Sequence, residues 1–241
     1  MDVRSFKSAE EIAVAAADIF CDVLQKKPNA VLGLATGSSP IPGYTELARR
    51  AAAGLVDFSA ARTFNLDEYC GLSLKNNRSY RYFMQHELFD KVGIRNENVH
   101  FLDGLAEDFD AECARYEAEL AAFGGADLQL LGIGRNGHIG FNEPAKKMHA
   151  GCFRVDLTDD TIQANQRFFD CKGDVPRCAL TMGIGTILTA KKILLIAAGE
   201  DKAAAVYGML RGEISGQCPA SFLRTHGNVL ILLDESAARL L

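Results

Sequence analysis

Apolar residues along the chain follow two spacings. The run Val31-Leu-Gly-Leu-Ala35 has no polar position and suits a strand buried on both faces. Similar runs recur at Thr63–Leu66, Leu128–Ile133, Ala179–Met182, Ile193–Ala198 and Val229–Leu233. Between them, apolar positions three and four apart predict helices over about 41–53, 77–90, 106–122 and 201–211. After Met1-Asp-Val-Arg4 the chain passes into helical spacing. There Ser8-Ala-Glu-Glu11 reads as a capping box, and Ile12, Ala15, Ala16, Ile19 and Val23 share one face. Alternating strands and helices predict an α/β fold, a Rossmann-like and mainly parallel sheet covered by helices on both sides in three layers. No repeat, low-complexity tract or linker interrupts the pattern, so residues 1–241 read as a single domain. The least regular stretch, about 140–178, contains a short helical piece at 159–168. It reads either as a flap over a site or as a surface excursion.

Composition narrows the classes of ligand. With 241 residues, 48% hydrophobic and 24% charged, the chain can bury a sizeable core. A net charge of -5 provides no broad footprint for nucleic acid or an anionic membrane, so an anionic ligand must be held locally. No apolar run approaches the roughly 18 residues of a membrane span, and no signal-peptide core is seen near Met1. Cysteines stand at 21, 70, 113, 152, 171, 178 and 218. They form no CxxC pair and their number is odd, so neither a zinc site nor a disulfide framework is indicated. Reduced thiols in a cytoplasmic protein are the expectation.

Ligands of such sheets bind beyond the carboxyl ends of the strands, and three strand ends carry unusual chemistry. The first is Ala35-Thr-Gly-Ser-Ser-Pro40, between a strand and a helix. Gly37, Ser38 and Ser39 suit a phosphate cradle and equally a plain helix cap; Pro40 suits a first helical turn. The GK[ST] of a P-loop is missing. The second is Phe64-Asn-Leu-Asp-Glu-Tyr69. Asp67 and Glu68 close a buried strand there, and neighbours at a strand end point in opposite directions, so only one faces the crevice. Capping of the next turn is the alternative. The third is Leu131-Gly-Ile-Gly-Arg-Asn-Gly-His-Ile-Gly-Phe-Asn-Glu-Pro144. Gly132, Gly134 and Gly137 satisfy G-x-G-x-x-G, with Asp156 about where a ribose-binding acid would stand. That fingerprint must open a helix, and Gly140, Asn142 and Pro144 follow without helical period. The glycines instead shape a loop that brings His138 and Glu143 together, where a carboxylate can orient an imidazole that titrates near neutrality.

The set GLATGSSP, FNLDEY and GIGRNGHIGFNEP, in this order and spacing, resembles the glucosamine-6-phosphate deaminases over nearly the whole chain. RFFD at 167–170 and Gly199-Glu-Asp-Lys202 extend the likeness. The related 6-phosphogluconolactonases share the fold but are expected to lack FNEP. The resemblance implies conversion of glucosamine 6-phosphate and water to fructose 6-phosphate and ammonia, with no metal or organic cofactor. It also implies roles for individual residues. His138, supported by Glu143, promotes opening of the pyranose ring, and Asp67 moves a proton from C2 to C1 through an enolamine. Gly37, Ser38, Ser39, Arg167 and Lys202 match the phosphate-binding positions. Asn136 stands where relatives can carry Asp; its amide can orient His138 but supplies no charge, which leaves Glu143 as the more important partner.

Two other readings remain at this stage. One is lactone hydrolysis with His138 as base. The other is a sugar-phosphate-binding regulatory module, weakened because no DNA-binding helix pair or basic segment precedes residue 30. The oligomeric state is open, including self-association. Longer relatives are controlled by N-acetylglucosamine 6-phosphate; the chain stops soon after its last strand, and an unregulated enzyme is expected.

Overall fold

In a computed structural model, which describes residues 1–158, 162 and 175–241, the predicted alternation folds into a seven-stranded sheet. Its strands are β1 (Asp2–Phe6), β2 (Val31–Leu34), β3 (Arg62–Asn65), β5 (Val99–His100), β6 (Leu128–Leu131), β9 (Ile193–Ala197) and β10 (Val229–Asp234). They lie in the order β1-β10-β9-β6-β2-β3-β5, every neighbouring pair parallel. Inner strands divide their side chains between two cores. Ile193, Leu195 and Ala197 enter one core, while Leu194 and Ile196 enter the other. Helices α1 (Ala9–Lys26), α2 (Ile41–Ala52) and α3 (Tyr80–Met84) cover one side, α3 running through a π-helical turn, Gln85–Phe89, into α4 (Asp90–Val92). Helices α5 (Phe109–Ala122), α6 (Ile184–Leu188) and α7 (Ala203–Arg211) cover the other. The three-layer expectation is met.

Several local readings change. The N-terminal residues form β1, an exposed edge strand held by its parallel pairing with β10 rather than by burial of its own side chains. Ser8 caps α1 by accepting the Glu11 N–H, but the Glu11 carboxylate turns back to the N–H of Lys7. The buried face of α1 is Ile12, Ala13, Ala16, Ala17, Phe20 and Leu24, rotated from the predicted stripe, so Ala15, Ile19 and Val23 lie at its margin. Pro40 is the cap residue of α2 rather than part of its first turn, where Pro42 stands instead.

The largest departure concerns Phe64–Tyr69. The expected single strand breaks at Leu66, which hydrogen-bonds both of its neighbours: its N–H donates to Leu34 O and its carbonyl accepts from Met182 N–H. Asp67 and Glu68 therefore do not close β3. They belong to β4 (Asp67–Tyr69), in a second, antiparallel sheet with β8 (Cys178–Thr181) and β7 (Phe153–Asp156), in the order β4-β8-β7. The run at Ala179–Met182 thus serves the small sheet, not the large one. Part of the irregular stretch 140–178 is β7; the helical piece expected at 159–168 falls mostly outside the described residues. Among the described residues no helix is long and apolar enough to cross a membrane.

Candidate active site

The chain reverses its direction of growth across the sheet between β2 and β6. It builds outwards from β2 through β3 to β5, then returns to lay β6 on the other side of β2. A crevice at the carboxyl end of the strands is expected at such a switch point, and the loops after β2, β3, β6 and β9 converge there.

After β6 the chain forms a loop and no helix, which excludes the dinucleotide fingerprint. Gly137 N–H bonds Gly134 O (3.0 Å) and Gly134 N–H bonds His138 O (2.9 Å), closing a tight turn. Two glycines are needed for it. Gly137 has φ +86, and at Gly134 a side chain would stand 2.2 Å from the His138 ring, which packs flat over that position. A bridge between Ile139 and Asn142 turns the chain again and returns Glu143 to His138. The expected pair therefore meets: Glu143 Oε2 lies 3.3 Å from His138 Nδ1. Nδ1 is buried and has no well-aligned hydrogen bond, so the two groups are close without a formed hydrogen bond between them. Asn136 joins the pair differently from the expectation. Its amide donates to Glu143 Oε2 (2.7 Å) and its carbonyl oxygen accepts the backbone N–H of His138 (3.2 Å). It braces the carboxylate and the backbone, not the imidazole ring.

The two acids of β4 face opposite ways, as alternation requires. Glu68 is fully buried and accepts the N–H groups of Tyr69, Tyr80 and Arg81, the last two at the start of α3. Burial still pushes it up to about 7, against the lowering effect of those three donors. Asp67 points the other way, is 6% exposed and has a buried Oδ1 without a partner. Burial first, and then the negative charge of Glu68, push it up to about 8. The His138 loop passes beside it: a carbon added at Gly140 would stand 3.7 Å from Asp67 Oδ2.

Two residues with no role assigned from the sequence, Asn142 of the FNEP motif and Thr181, hold these parts together. Thr181, opposite Asp67 in the β4–β8 pair, accepts the Phe141 N–H on its hydroxyl (3.2 Å). The amide of Asn142 donates to both Ile139 O (2.9 Å) and Met182 O (2.8 Å). The loop is thereby tied to the strand that faces Asp67.

Gly37, Ser38 and Ser39 lie between β2 and α2, with Gly37 at φ +91. No hydrogen bond from their N–H groups is found among the described residues, and the α2 cap makes no side-chain bond. Three donors are left at a helix start, where an anion is favoured. Ser39 reaches the base of the His138 loop: a carbon at Gly132 would lie 4.0 Å from its Cβ. Lys202 stands at the cap of α7, its Nζ 3.7 Å from Asp201 Oδ2, and that oxygen also pairs with Arg135 at 2.8 Å. Arg135 thus ties the His138 loop to the Lys202 loop. Arg167, the remaining expected phosphate ligand, lies outside the described residues. Among the described residues no cluster of His, Cys, Asp and Glu has the arrangement of a metal site.

The sequence profile of a family described as glucosamine-6-phosphate isomerases/6-phosphogluconolactonase matches residues 5–231. A glucosamine-6-phosphate deaminase of Clostridioides difficile is 47% identical over 99% of this chain and 96% of its own length. The solved structure of a monomeric glucosamine-6-phosphate deaminase superposes with a TM-score of 0.95, at 44% identity and full coverage of both chains. A 6-phosphogluconolactonase from Thermotoga maritima superposes with a TM-score of 0.76 at 20% identity, covering 97% of this chain and 98% of that one, and shares the fold.

Proposed function

The chain belongs to the glucosamine-6-phosphate isomerase/6-phosphogluconolactonase family, and from that premise we infer that it acts as a glucosamine-6-phosphate deaminase. It converts glucosamine 6-phosphate and water to fructose 6-phosphate and ammonia, within amino-sugar catabolism. The observation that carries this reading is the buried carboxyl of Asp67 beside the loop that pairs His138 with Glu143.

The chemistry assigns each group a task. The sugar phosphate is remote from the reacting carbons, so its binding energy serves to position them. The free N–H groups of Gly37, Ser38 and Ser39 hold it, with Lys202 and Arg167 as cations. His138 exchanges a proton with the ring oxygen and opens the pyranose, Glu143 stabilising the imidazolium that forms, with Asn136 holding Glu143 in place. Asp67 then takes the C2 proton and returns it to C1. The electron pair moves through an enolamine, and water adds to the C2 imine to release ammonia. Asp67 is suited to receive and return a proton because burial keeps its two protonation states close in energy near neutral pH. The ammonium of the amino sugar, arriving beside Asp67, favours the carboxylate form that abstraction needs. No residue role here calls for a metal or organic cofactor.

By analogy with the monomeric relative, we place the protein as a monomer; scattered cysteines without a CxxC pair support the cytoplasm as its compartment. The test of function is incubation with glucosamine 6-phosphate, following ammonia and fructose 6-phosphate together. Equal amounts of the two are expected; hydrolysis of 6-phosphogluconolactone without ammonia release defeats the reading.

A further inference from the structure

Cys70 and Cys178 are far apart in the chain and end as neighbours. β4 and β8 run antiparallel with Tyr69 opposite Ala179, and the next pair along is Cys70 opposite Cys178, closed by a bond from Cys70 N–H to Cys178 O (3.0 Å). Residues directly opposed in this way project from the same face. In a hydrogen-bonded pair their Cα atoms are about 5.5 Å apart, within the span a disulfide bridges. Each thiol lies in the electrostatic field of the other. On β7, Arg154 lies opposite Leu180 and so diagonal to Cys178, close enough for its positive charge to act on the sulfur. Access differs between the two: Cys70 is buried in the core, and Cys178 is half-buried at its margin.

We propose that Cys70 and Cys178 form a peroxide-sensitive modification site, where oxidation joins them as a disulfide and takes the strand carrying Asp67 out of its working geometry. The Cys178 sulfur attacks a peroxide such as hydrogen peroxide. The O–O bond breaks, an S–O bond forms, water leaves, and Cys178 becomes a sulfenic acid. The Cys70 sulfur then attacks the Cys178 sulfur; its proton leaves with the hydroxyl as a second water, and the S–S bond closes. A dithiol reductant supplies two electrons and two protons to restore both thiols.

The order of events follows from placement. Cys178 is the accessible member, and the positive charge of Arg154 faces the negative charge its sulfur develops. Cys70 waits beneath as the resolving thiol. Burial, and then its neighbour Cys178, push the Cys70 thiol well above its usual range, which suits the second step better than the first. β4 is only Asp67–Tyr69, and Cys70 follows directly. Drawing two non-bonded sulfurs into covalent contact must be absorbed by β4 and β8, which hold Asp67 opposite Thr181. The effect on turnover rests on the role of Asp67 proposed above; the thiol chemistry does not.

The experiment treats the full chain with hydrogen peroxide, counts free thiols, maps cross-linked peptides by mass spectrometry and follows ammonia release before and after dithiothreitol. The expected result is loss of one thiol pair per chain, a Cys70–Cys178 peptide, and a fall in turnover that dithiothreitol reverses. Cys178→Ser should keep its turnover under the same peroxide. Cys70→Ser should stop at a sulfenic acid on Cys178 that dimedone traps; should that core variant fail to fold, Cys178→Ser alone carries the comparison. A pair that stays reduced, a bridge to another cysteine, or a Cys70–Cys178 bridge with undiminished turnover overturns the proposal. The thiol count and peptide map read the bridge even in a protein that releases no ammonia, so the two failures are distinguishable.

Discussion

Asn136 donates its side-chain amide to Glu143 Oε2 at 2.7 Å, and the same oxygen lies 3.3 Å from His138 Nδ1. One carboxylate oxygen is therefore shared by a neutral amide brace and the His138 ring. Asn136→Asp would set two acids at that distance. They can share a proton at low pH and repel one another at high pH. The expected kcat is about tenfold below the parent at pH 8, a loss of about 1.4 kcal/mol in transition-state stabilisation, with a smaller deficit at pH 6. A deficit that is equal at both pH values would show that Asn136 acts by shape alone.

His138 is assigned to ring opening, so the substrate form should matter. His138→Gln is expected to lower turnover of the closed sugar by about 10²–10⁴-fold. An open-chain analogue should suffer far less. Equal defects with the two substrates would remove the ring-opening role.

Gly134 lets the His138 ring lie over the backbone. In Gly134→Ala the new carbon would fall 2.2–2.4 Å from Cε1, Nε2 and Nδ1, so the ring must move. Displacement of a reacting group by about 1 Å can cost about 10²-fold in rate. The ring is the moving part and is 31% exposed, so kcat/KM should fall much further than thermal stability. Comparable losses in both, measured by kinetics and calorimetry, would argue that the loop as a whole unfolds.

Asp67 links catalysis to pH and to stability. Its proton is held up to about 8 in the folded protein, while an unfolded chain releases it near the ordinary aspartate value of about 3.9. Between these two values the folded state binds the extra proton, so this group's contribution to stability falls as pH rises through that window. Asp67→Asn removes that slope. At pH 8 the variant is expected to be about 1–3 kcal/mol more stable than the parent, with little difference near pH 4. Denaturant melts at the two pH values check this. For the parent, kcat/KM should rise with pH through about 8 as the free protein's base ionises.

The layers were legible in the sequence because strands buried on two faces and helices with one apolar stripe leave different spacings. The His138–Glu143 contact was legible too, since glycines and a proline after β6 forbid a helix. The break at Leu66 was not. FNLDEY keeps a strand-like composition across it, and only the hydrogen bonds to Leu34 and Met182 reveal that the chain changes sheets. Thr181, the tie from Asn142 to Met182 and the Cys70–Cys178 pair escaped notice for a related reason: their partners come from tertiary pairing, which local periodicity does not encode. β1 was hidden because backbone pairing with β10 holds it, leaving its polar side chains no pattern to show.

The central claim is a deaminating isomerisation that turns on Asp67. Its most direct test is ammonia release from glucosamine 6-phosphate by the parent and by Asp67→Asn, with substrate binding measured on both. The account predicts ammonia and fructose 6-phosphate in equal amounts from the parent, and none from a variant that still binds substrate. Ammonia release that persists in Asp67→Asn, or binding lost together with activity, would contradict it.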